Sequence, residues 1–286
     1  MTVTIKINGE ECSVSEGTTL LSACREQGID IPTICNAENL SPVNTCRVCV
    51  VEMEGSRTLV PSCSRQAAEG MVIATHSDRV RRSRRMVLEL LASSVDLSRS
   101  EADLLGWIDE YEADSSRHSP SGNLDPPATV AQPVKLQDNL YVRDYSRCVL
   151  CYKCVQACGE EAQNTFAISV ADRGFAATIS TEFDTALPDS ACVYCGNCIG
   201  VCPTGALIFT TEFELREAGE WNEEQQKVTR TVCPYCGVGC NLELRTQDET
   251  IVRVTSPSDH EVSHGHLCIK GRFGTGFVKT EPDTES

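Results

Sequence analysis

Eight cysteines between Cys148 and Cys202 constrain this chain more than any other stretch of it. They fall in two runs, CVLCYKCVQAC (Cys148, Cys151, Cys154, Cys158) and, after an interval of 33 residues, CVYCGNCIGVCP (Cys192, Cys195, Cys198, Cys202). The spacing CxxCxxC draws three thiolates from one short loop, enough for three corners of a cubane, and directs a fourth cysteine, at the start of a following helix, elsewhere. Two [4Fe-4S] clusters with exchanged fourth ligands are predicted: Cys148, Cys151, Cys154 and Cys202 on one, Cys192, Cys195, Cys198 and Cys158 on the other. Zinc is the competing reading. It takes four ligands in a tetrahedron, commonly as two separated pairs, and two triplets with a trailing cysteine suit it badly. Gly159 stands where the second run has Pro203, a departure that leaves the ligands in place.

Eighteen cysteines in 286 residues mean disulfides or metal, and compartment decides between them. The N-terminal MTVTIKINGEECSV alternates like a strand, with no apolar core of an export signal and no small-residue cleavage site. The pairs Arg81-Arg82 and Arg84-Arg85 are internal and form no twin-arginine leader. No run reaches the roughly 20 apolar residues of a membrane span. The expectation is a cytoplasmic, reduced, metal-loaded chain of several small domains. A formal charge of −16 argues against nucleic acid, which requires a basic footprint. Its simplest meaning is solubility; a surface that orients a docking partner is the sharper one.

Val3, Ile5 and Ile7, the Asn8-Gly9 turn, then Cys12 and Val14 predict an opening hairpin. Thr18 or Thr19 caps a predicted helix through about Gln27, with Leu20, Leu21 and Cys24 inside and Gly28 at its end. Cys35, Cys46, Cys49 and Cys63 follow, with intervals of ten, two and thirteen residues. Two strands, a helix and a cysteine-bearing loop is the order of a β-grasp ferredoxin, and a [2Fe-2S] site is expected, zinc being the alternative. The long first interval resembles the variant in the large iron-sulfur subunit of respiratory complex I and in iron-only hydrogenases. Cys12 and Cys24 lie outside every quartet and read as small buried hydrophobes.

Met71–Ala74 should close this sheet, and Ser77 should cap a helix with Val80, Val87, Leu88 and Leu91 inside. Arg79, Arg81, Arg82, Arg84 and Arg85 read as its solvated face, or as a contact for an acidic subunit. Leu104, Leu105, Ile108 and Tyr111 mark a second helix after Ser100. Prolines and glycines then accumulate (Pro120, Gly122, Pro126, Pro127, Pro133), as in a linker. The interval between Cys63 and Cys148 holds no cysteine, so His118 cannot build a His-plus-three-Cys cluster there. Phe166–Val170 and Phe175–Ile179 read as a hairpin between the two cubane runs, and Glu212–Gln226 as an acidic connection in which Trp221 anchors packing.

The last cysteines are Cys233, Cys236 and Cys240 in VCPYCGVGC and, after 27 intervening residues, Cys268 in HLCIKGRFG. Leu242, Leu244, Ile251, Val252 and Val254 should form a hairpin between them. Gly237 and Gly239 would let backbone approach a bulky cluster, so a third [4Fe-4S] site is expected, with a zinc ribbon as the alternative. Gly271, Gly274 and Gly276 have the wrong order for a dinucleotide loop and no preceding strand.

CPYCGVGC followed by GHLCIKGRFG resembles the [4Fe-4S] domain that opens the catalytic subunits of molybdopterin oxidoreductases, formate dehydrogenases above all. The order of modules is similar to the N-terminal part of the alpha subunit of cytoplasmic NAD-linked formate dehydrogenases, over nearly all of residues 1–280. This implies a modular α+β fold: a plant-type [2Fe-2S] ferredoxin-like domain (1–78), a helical segment and Pro-rich linker (79–137), a bacterial-type 2×[4Fe-4S] ferredoxin domain (138–212), an acidic linker (213–230), a small β-rich [4Fe-4S] domain of molybdopterin-oxidoreductase type (231–280) and a tail (281–286). It implies that Lys270 lies between the last cluster and a pterin and helps couple them. The cofactors expected on the chain are one [2Fe-2S] and three [4Fe-4S] clusters.

The family continues into domains that bind molybdenum or tungsten at a pterin, and this sequence stops at Ser286. The expected protein is therefore a non-catalytic electron-relay subunit without a substrate site. Its partners would be a Mo/W-pterin catalytic subunit and a subunit carrying FMN and NAD. An NAD-linked hydrogenase or complex-I-like assembly is the alternative host, and a scaffold with structural metal sites the alternative class.

Overall fold

The alternation at the N-terminus folds as expected: β1 (Thr2–Ile7) and β2 (Glu10–Ser15) pair antiparallel from Thr2 opposite Ser15 to Ile7 opposite Glu10. Asn8 and Gly9 turn the chain with φ of 54° and 93°, the left-handed pair that a two-residue hairpin loop requires. The computed structural model describes residues 1–118 and 126–276. Pro120 and Gly122 of the predicted linker, the end of the last domain at 277–280 and the tail 281–286 lie outside the described residues. The chain divides into two units, Met1–Asn36 with Pro42–Pro126, and Ala37–Ser41 with Pro127–Ser286.

In the first unit Thr19 caps α1 (Leu20–Glu26) by accepting the Ser22 N–H, and Gly28 turns the chain out with φ 71°. β3 (Val50–Met53), β4 (Val60–Pro61) and β5 (Val72–Ala74) complete a five-stranded sheet in the order β2-β1-β5-β3-β4. β5 lies parallel to β1 and antiparallel to β3, so it sits inside the sheet and does not merely close it. The core joins Ile5, Ile7, Val14, Leu20, Leu21, Ile31, Val51 and Ile73. Cys24 is fully buried in it and Cys12 packs against it. Burial pushes the Cys24 thiol up to about 11, as suits a cysteine used for packing.

Ser77 caps α2 (Asp78–Ser94), accepting the Val80 N–H at 3.3 Å and donating to Glu52 Oε2 at 2.6 Å. Ser77→Ala is expected to cost about 1 kcal/mol, the usual worth of an N-cap; chemical denaturation of the chain checks it. The arginine-rich face of α2 is not uniformly solvated. Arg84 is fully buried, donating to the Val50 carbonyl at 2.9 Å and to Tyr111 Oη at 2.6 Å. Glu89 is buried too, under Arg85 and Arg117, and the Arg85 hydrogen bond is the first cause of its lowered carboxyl pKa. α3 (Ala102–Glu110) buries Leu104, with Tyr111 buried just beyond it, while Leu105 stays exposed.

In the second unit β6 (Tyr141–Arg143) pairs with a later strand, and α4 (Lys153–Cys158) carries the last two cysteines of the first cubane run. β7 (Ser169–Ala171) and β8 (Thr178–Ser180) form the predicted hairpin, shorter than its apolar residues suggested. α5 (Asn197–Gly200) carries Cys198 of the second run, and β9 (Leu207–Phe209) is the antiparallel partner of β6. Part of the Pro-rich segment is built in: the Ala128 N–H donates to Phe175, Thr129 Oγ1 to the Ala177 carbonyl, and Lys135 bridges to Arg143.

The acidic stretch is ordered as well. α6 (Thr210–Glu217) buries Glu212 against Arg216 at 2.9 Å and Arg253 at 3.0 Å, and Arg216 lies over the Trp221 ring at 4.7 Å. β10 (Lys227–Val232) then leads a three-stranded antiparallel sheet with β11 (Asn241–Gln247) and β12 (Thr250–Thr255). α7 (Ile269–Phe273) follows Cys268. Its Phe273 stacks on Tyr141 at 6.2 Å and leans on Phe209 at 5.7 Å, docking the last cysteine-bearing segment on the β6–β9 ribbon. Among the described residues no helix is long and apolar enough to cross a membrane.

Candidate metal centres

All eighteen cysteines are free thiols, and those of each predicted quartet line one cavity or act electrostatically on one another. The two cubane loops repeat one backbone shape. Leu150 and Tyr152 in the first, and Tyr194 and Gly196 in the second, hold φ of 51°, 64°, 55° and 68°. Such left-handed turns bend successive N–H groups toward a common centre, a shape that suits an anion. The Leu150 N–H reaches Cys148 Sγ and the Tyr194 N–H reaches Cys192 Sγ, each at 3.4 Å. α4 carries Cys154 and Cys158, and α5 carries Cys198 with Cys202 just beyond its end.

Two cavities open between these elements. One, of about 20 Å³, is lined by Cys148, Cys151, Cys154 and Cys202; the other, also of about 20 Å³, by Cys158, Cys192, Cys195 and Cys198. Each therefore draws three cysteines from one run and the fourth from the other. Burial raises the Cys154 and Cys198 thiols well above their ordinary range and takes Cys148 to about 12, with neighbouring cysteines of the same cavity adding to the effect. Thiols so placed ionise readily only when a metal takes the thiolate.

Cys35, Cys46, Cys49 and Cys63 form the third group. The Cys46 N–H reaches Cys35 Sγ at 3.4 Å, and the charges of Cys49, Cys35 and Cys46 all act on Cys63. A hydrogen bond from Cys46 lowers the Cys35 thiol and raises that of Cys46 itself; Cys63 and Cys49 form a second such pair. In the fourth group burial first, then Cys233, Cys236 and Cys268, raise the Cys240 thiol. Cys233 and Cys240 are joined by a backbone hydrogen bond of 2.8 Å, and Cys236 and Cys268 are exposed. Gly239 has the positive φ, 73°, that suits glycine, but Gly237 has neither positive φ nor a neighbour its Cβ would meet. Lys270 is exposed on α7.

Among the described residues no three His, Cys, Asp or Glu side chains converge on a site for a metal ion. The cysteine groups offer thiols, N–H groups turned toward sulfur, and two cavities walled by sulfur and apolar side chains, a donor set that suits iron-sulfur clusters. One residue the spacing could not mark is Tyr141, whose Oη lies 3.3 Å from Cys192 Sγ. Burial, then the charges of Cys198 and Cys192, raise its pKa far above the phenol range, so it stays a donor. Asn197 and Arg272 also join cysteine-bearing segments. The Asn197 side chain accepts the Leu267 N–H at 2.9 Å, and Arg272 donates to the Cys195 carbonyl at 2.9 Å.

The fold and these cysteine groups define a chain of iron-sulfur domains. Residues 1–78 match the 2Fe-2S iron-sulfur cluster binding domain, residues 139–208 the ferredoxin-like domain of NADH-quinone oxidoreductase subunit 3, and residues 226–280 the molybdopterin oxidoreductase Fe4S4 domain. Both binuclear and four-iron cluster types are thus represented, in the order the spacings implied.

Particular relatives share that order over nearly the whole chain. An NADH-quinone oxidoreductase component of Rhizobium meliloti is 32% identical, over 97% of this chain and 32% of its own length. A Staphylococcus aureus protein provisionally named formate dehydrogenase is 27% identical, over 97% of this chain and 31% of its own. The chain thus spans about a third of the length of these curated relatives. Among solved structures, a chain from the crystal structure of an NAD+-reducing [NiFe]-hydrogenase in the H2-reduced state superposes with a TM-score of 0.63 at 25% identity, covering 72% of this chain and 87% of that one.

Proposed function

We propose that the chain is the iron-sulfur relay of a cytoplasmic, multi-subunit formate dehydrogenase, working between a Mo- or W-pterin catalytic subunit and a subunit that carries FMN and NAD. The observation that carries this reading is the match of residues 226–280 to the molybdopterin oxidoreductase Fe4S4 domain, downstream of the ferredoxin-like domains found also in NADH-linked enzymes. One [2Fe-2S] cluster is assigned to Cys35, Cys46, Cys49 and Cys63. Three [4Fe-4S] clusters are assigned to Cys148, Cys151, Cys154 and Cys202, to Cys158, Cys192, Cys195 and Cys198, and to Cys233, Cys236, Cys240 and Cys268. The sulfur-lined cavities and shared electrostatics of these groups support the assignment.

Bound clusters supply one-electron transfer. The chain's residues hold them, exclude water and set their potentials through hydrogen bonds to sulfur, burial and charge. Tyr141 is the plainest example: a phenol donating to the Cys192 thiolate favours the reduced cluster. Tyr141→Phe is expected to lower the midpoint of that cluster alone, with its iron retained, in an EPR-monitored redox titration. Lys270, exposed beside Cys268, is assigned to the side that meets the pterin partner.

Purification of the native assembly followed by metal analysis tests the host. Molybdenum or tungsten, with formate-driven reduction of NAD, supports the formate dehydrogenase. The likeness to the hydrogenase structure favours a second reading, a relay in an NAD-linked hydrogenase. Nickel without either pterin metal would select it.

A further inference from the structure

Arg272 in α7 is one of the largest fully buried side chains of the chain, at 1% exposure. Its Nε donates to the Cys195 carbonyl at 2.9 Å, its Nη1 to the Val254 carbonyl at 3.1 Å and its Nη2 to Asn197 Oδ1 at 2.9 Å. Its own backbone N–H donates to the Cys268 carbonyl at 3.0 Å. One residue is therefore hydrogen-bonded to a cysteine of each of two quartets. Asn197 ties the same segments a second time through the Leu267 N–H. The guanidinium lies against Gly196 and Gly200, and a Cβ at Gly196 would overlap its stem.

A buried cation is costly unless negative charge opposes it. The three acceptors of this guanidinium are neutral. Once ionised as cluster ligands, the sulfurs of Cys195, Cys198 and Cys268 are the negative groups whose charge acts on it, while Arg253 acts with the same sign as Arg272 itself. A cluster held by four thiolates gains one more negative charge on reduction, so a fixed cation beside it favours the reduced form. The burial itself points the same way: among neutral acceptors, a pair of flanking anionic groups is what offsets the cost of desolvating this charge.

We propose that Arg272 is a positioning and tuning residue for two clusters at once. It raises the reduction potentials at the Cys158, Cys192, Cys195, Cys198 site and the Cys233, Cys236, Cys240, Cys268 site, and clamps their ligand loops together. The proposal rests on the ligand assignment given above. Lysine would keep the charge but lose the planar fork that reaches three acceptors.

EPR-monitored redox titration of the iron-loaded full chain tests it, comparing wild type with R272M, R272Q and R272K. In R272M and R272Q both midpoints are expected to fall. At the wild-type midpoint the oxidised-to-reduced ratio of each cluster should rise at least tenfold, about 59 mV for a one-electron couple. The Cys148, Cys151, Cys154, Cys202 cluster should shift less, and R272K should recover most of the loss. Unchanged midpoints in R272M and R272Q would overturn the proposal. So would an equal fall at every cluster, an R272K as low as R272M, or loss of iron from all four sites in both uncharged variants, which would make Arg272 a folding residue. Wild type is titrated alongside. If it takes up no electrons, the relay reading itself has failed; a normal wild type with indifferent variants refutes the role of Arg272 alone.

Discussion

Replacing Cys202 with alanine is expected to remove the cluster of the other run, not of its own. Iron should fall from about 14 to about 10 atoms per chain, two belonging to the binuclear site and four to each of the others. The remaining signals should include the cluster of Cys192, Cys195 and Cys198. Cys158→Ala is expected to do the converse, sparing Cys148, Cys151 and Cys154. The cavities carry the expectation, since each is walled by three cysteines of one run and one of the other. Double variants make it decisive, because changes in one quartet are not additive while changes in two are. Cys158→Ala with Cys192→Ala should lose no more than about four irons, and Cys192→Ala with Cys202→Ala about eight. The reverse pattern, measured by iron analysis and EPR, would mean that each run holds its own cluster.

Gly196→Ala is expected to be strongly damaging to the second unit. Its φ is 68°, a region that costs an L-residue roughly 1–2 kcal/mol. The new Cβ would also overlap Arg272 Cδ and come within 3.0 Å of Phe273 Cζ. The guanidinium cannot swing aside without breaking its bonds to Cys195, Val254 and Asn197. Overpacking of this kind typically costs a further 1–3 kcal/mol or so. Thermal denaturation should show the loss, with iron lost at the two flanking sites. Gly174→Ala is the control: its φ is similarly positive at 61°, but no atom lies within 4 Å of its Cβ position. Equal destabilisation by the two would put the effect on backbone strain alone and remove the steric part.

Much of this was legible in cysteine spacing, because a cluster dictates its ligands' separation far more tightly than a core dictates its residues. The Asn8-Gly9 hairpin and the Ser77 cap were readable for a similar reason: local chemistry fixes them. Long-range partners were not. Arg84 looks like its neighbours in the α2 arginine run, and only the Val50 carbonyl and Tyr111, 34 and 27 residues away, make it a core residue. β10 escaped notice because KVTRTV is exposed along its whole length, so no apolar face marks it. The acidic stretch read as a connection because Glu212 declares itself only through Arg216 and Arg253. Tyr141 lies outside every cysteine motif and Arg272 sits within HLCIKGRFG four residues after Cys268, but what each touches was set by the fold.

Sixteen of the eighteen cysteines are proposed to hold iron in four clusters that exchange electrons. Anaerobic dithionite titration of the purified full chain, with iron, sulfide and zinc determined on the same sample, tests it most directly. About 14 irons and reversible uptake of about four electrons per chain, one for each cluster, are the predicted result. Zinc in place of iron at any quartet, or a fully iron-loaded chain that takes up no electrons reversibly, would contradict it.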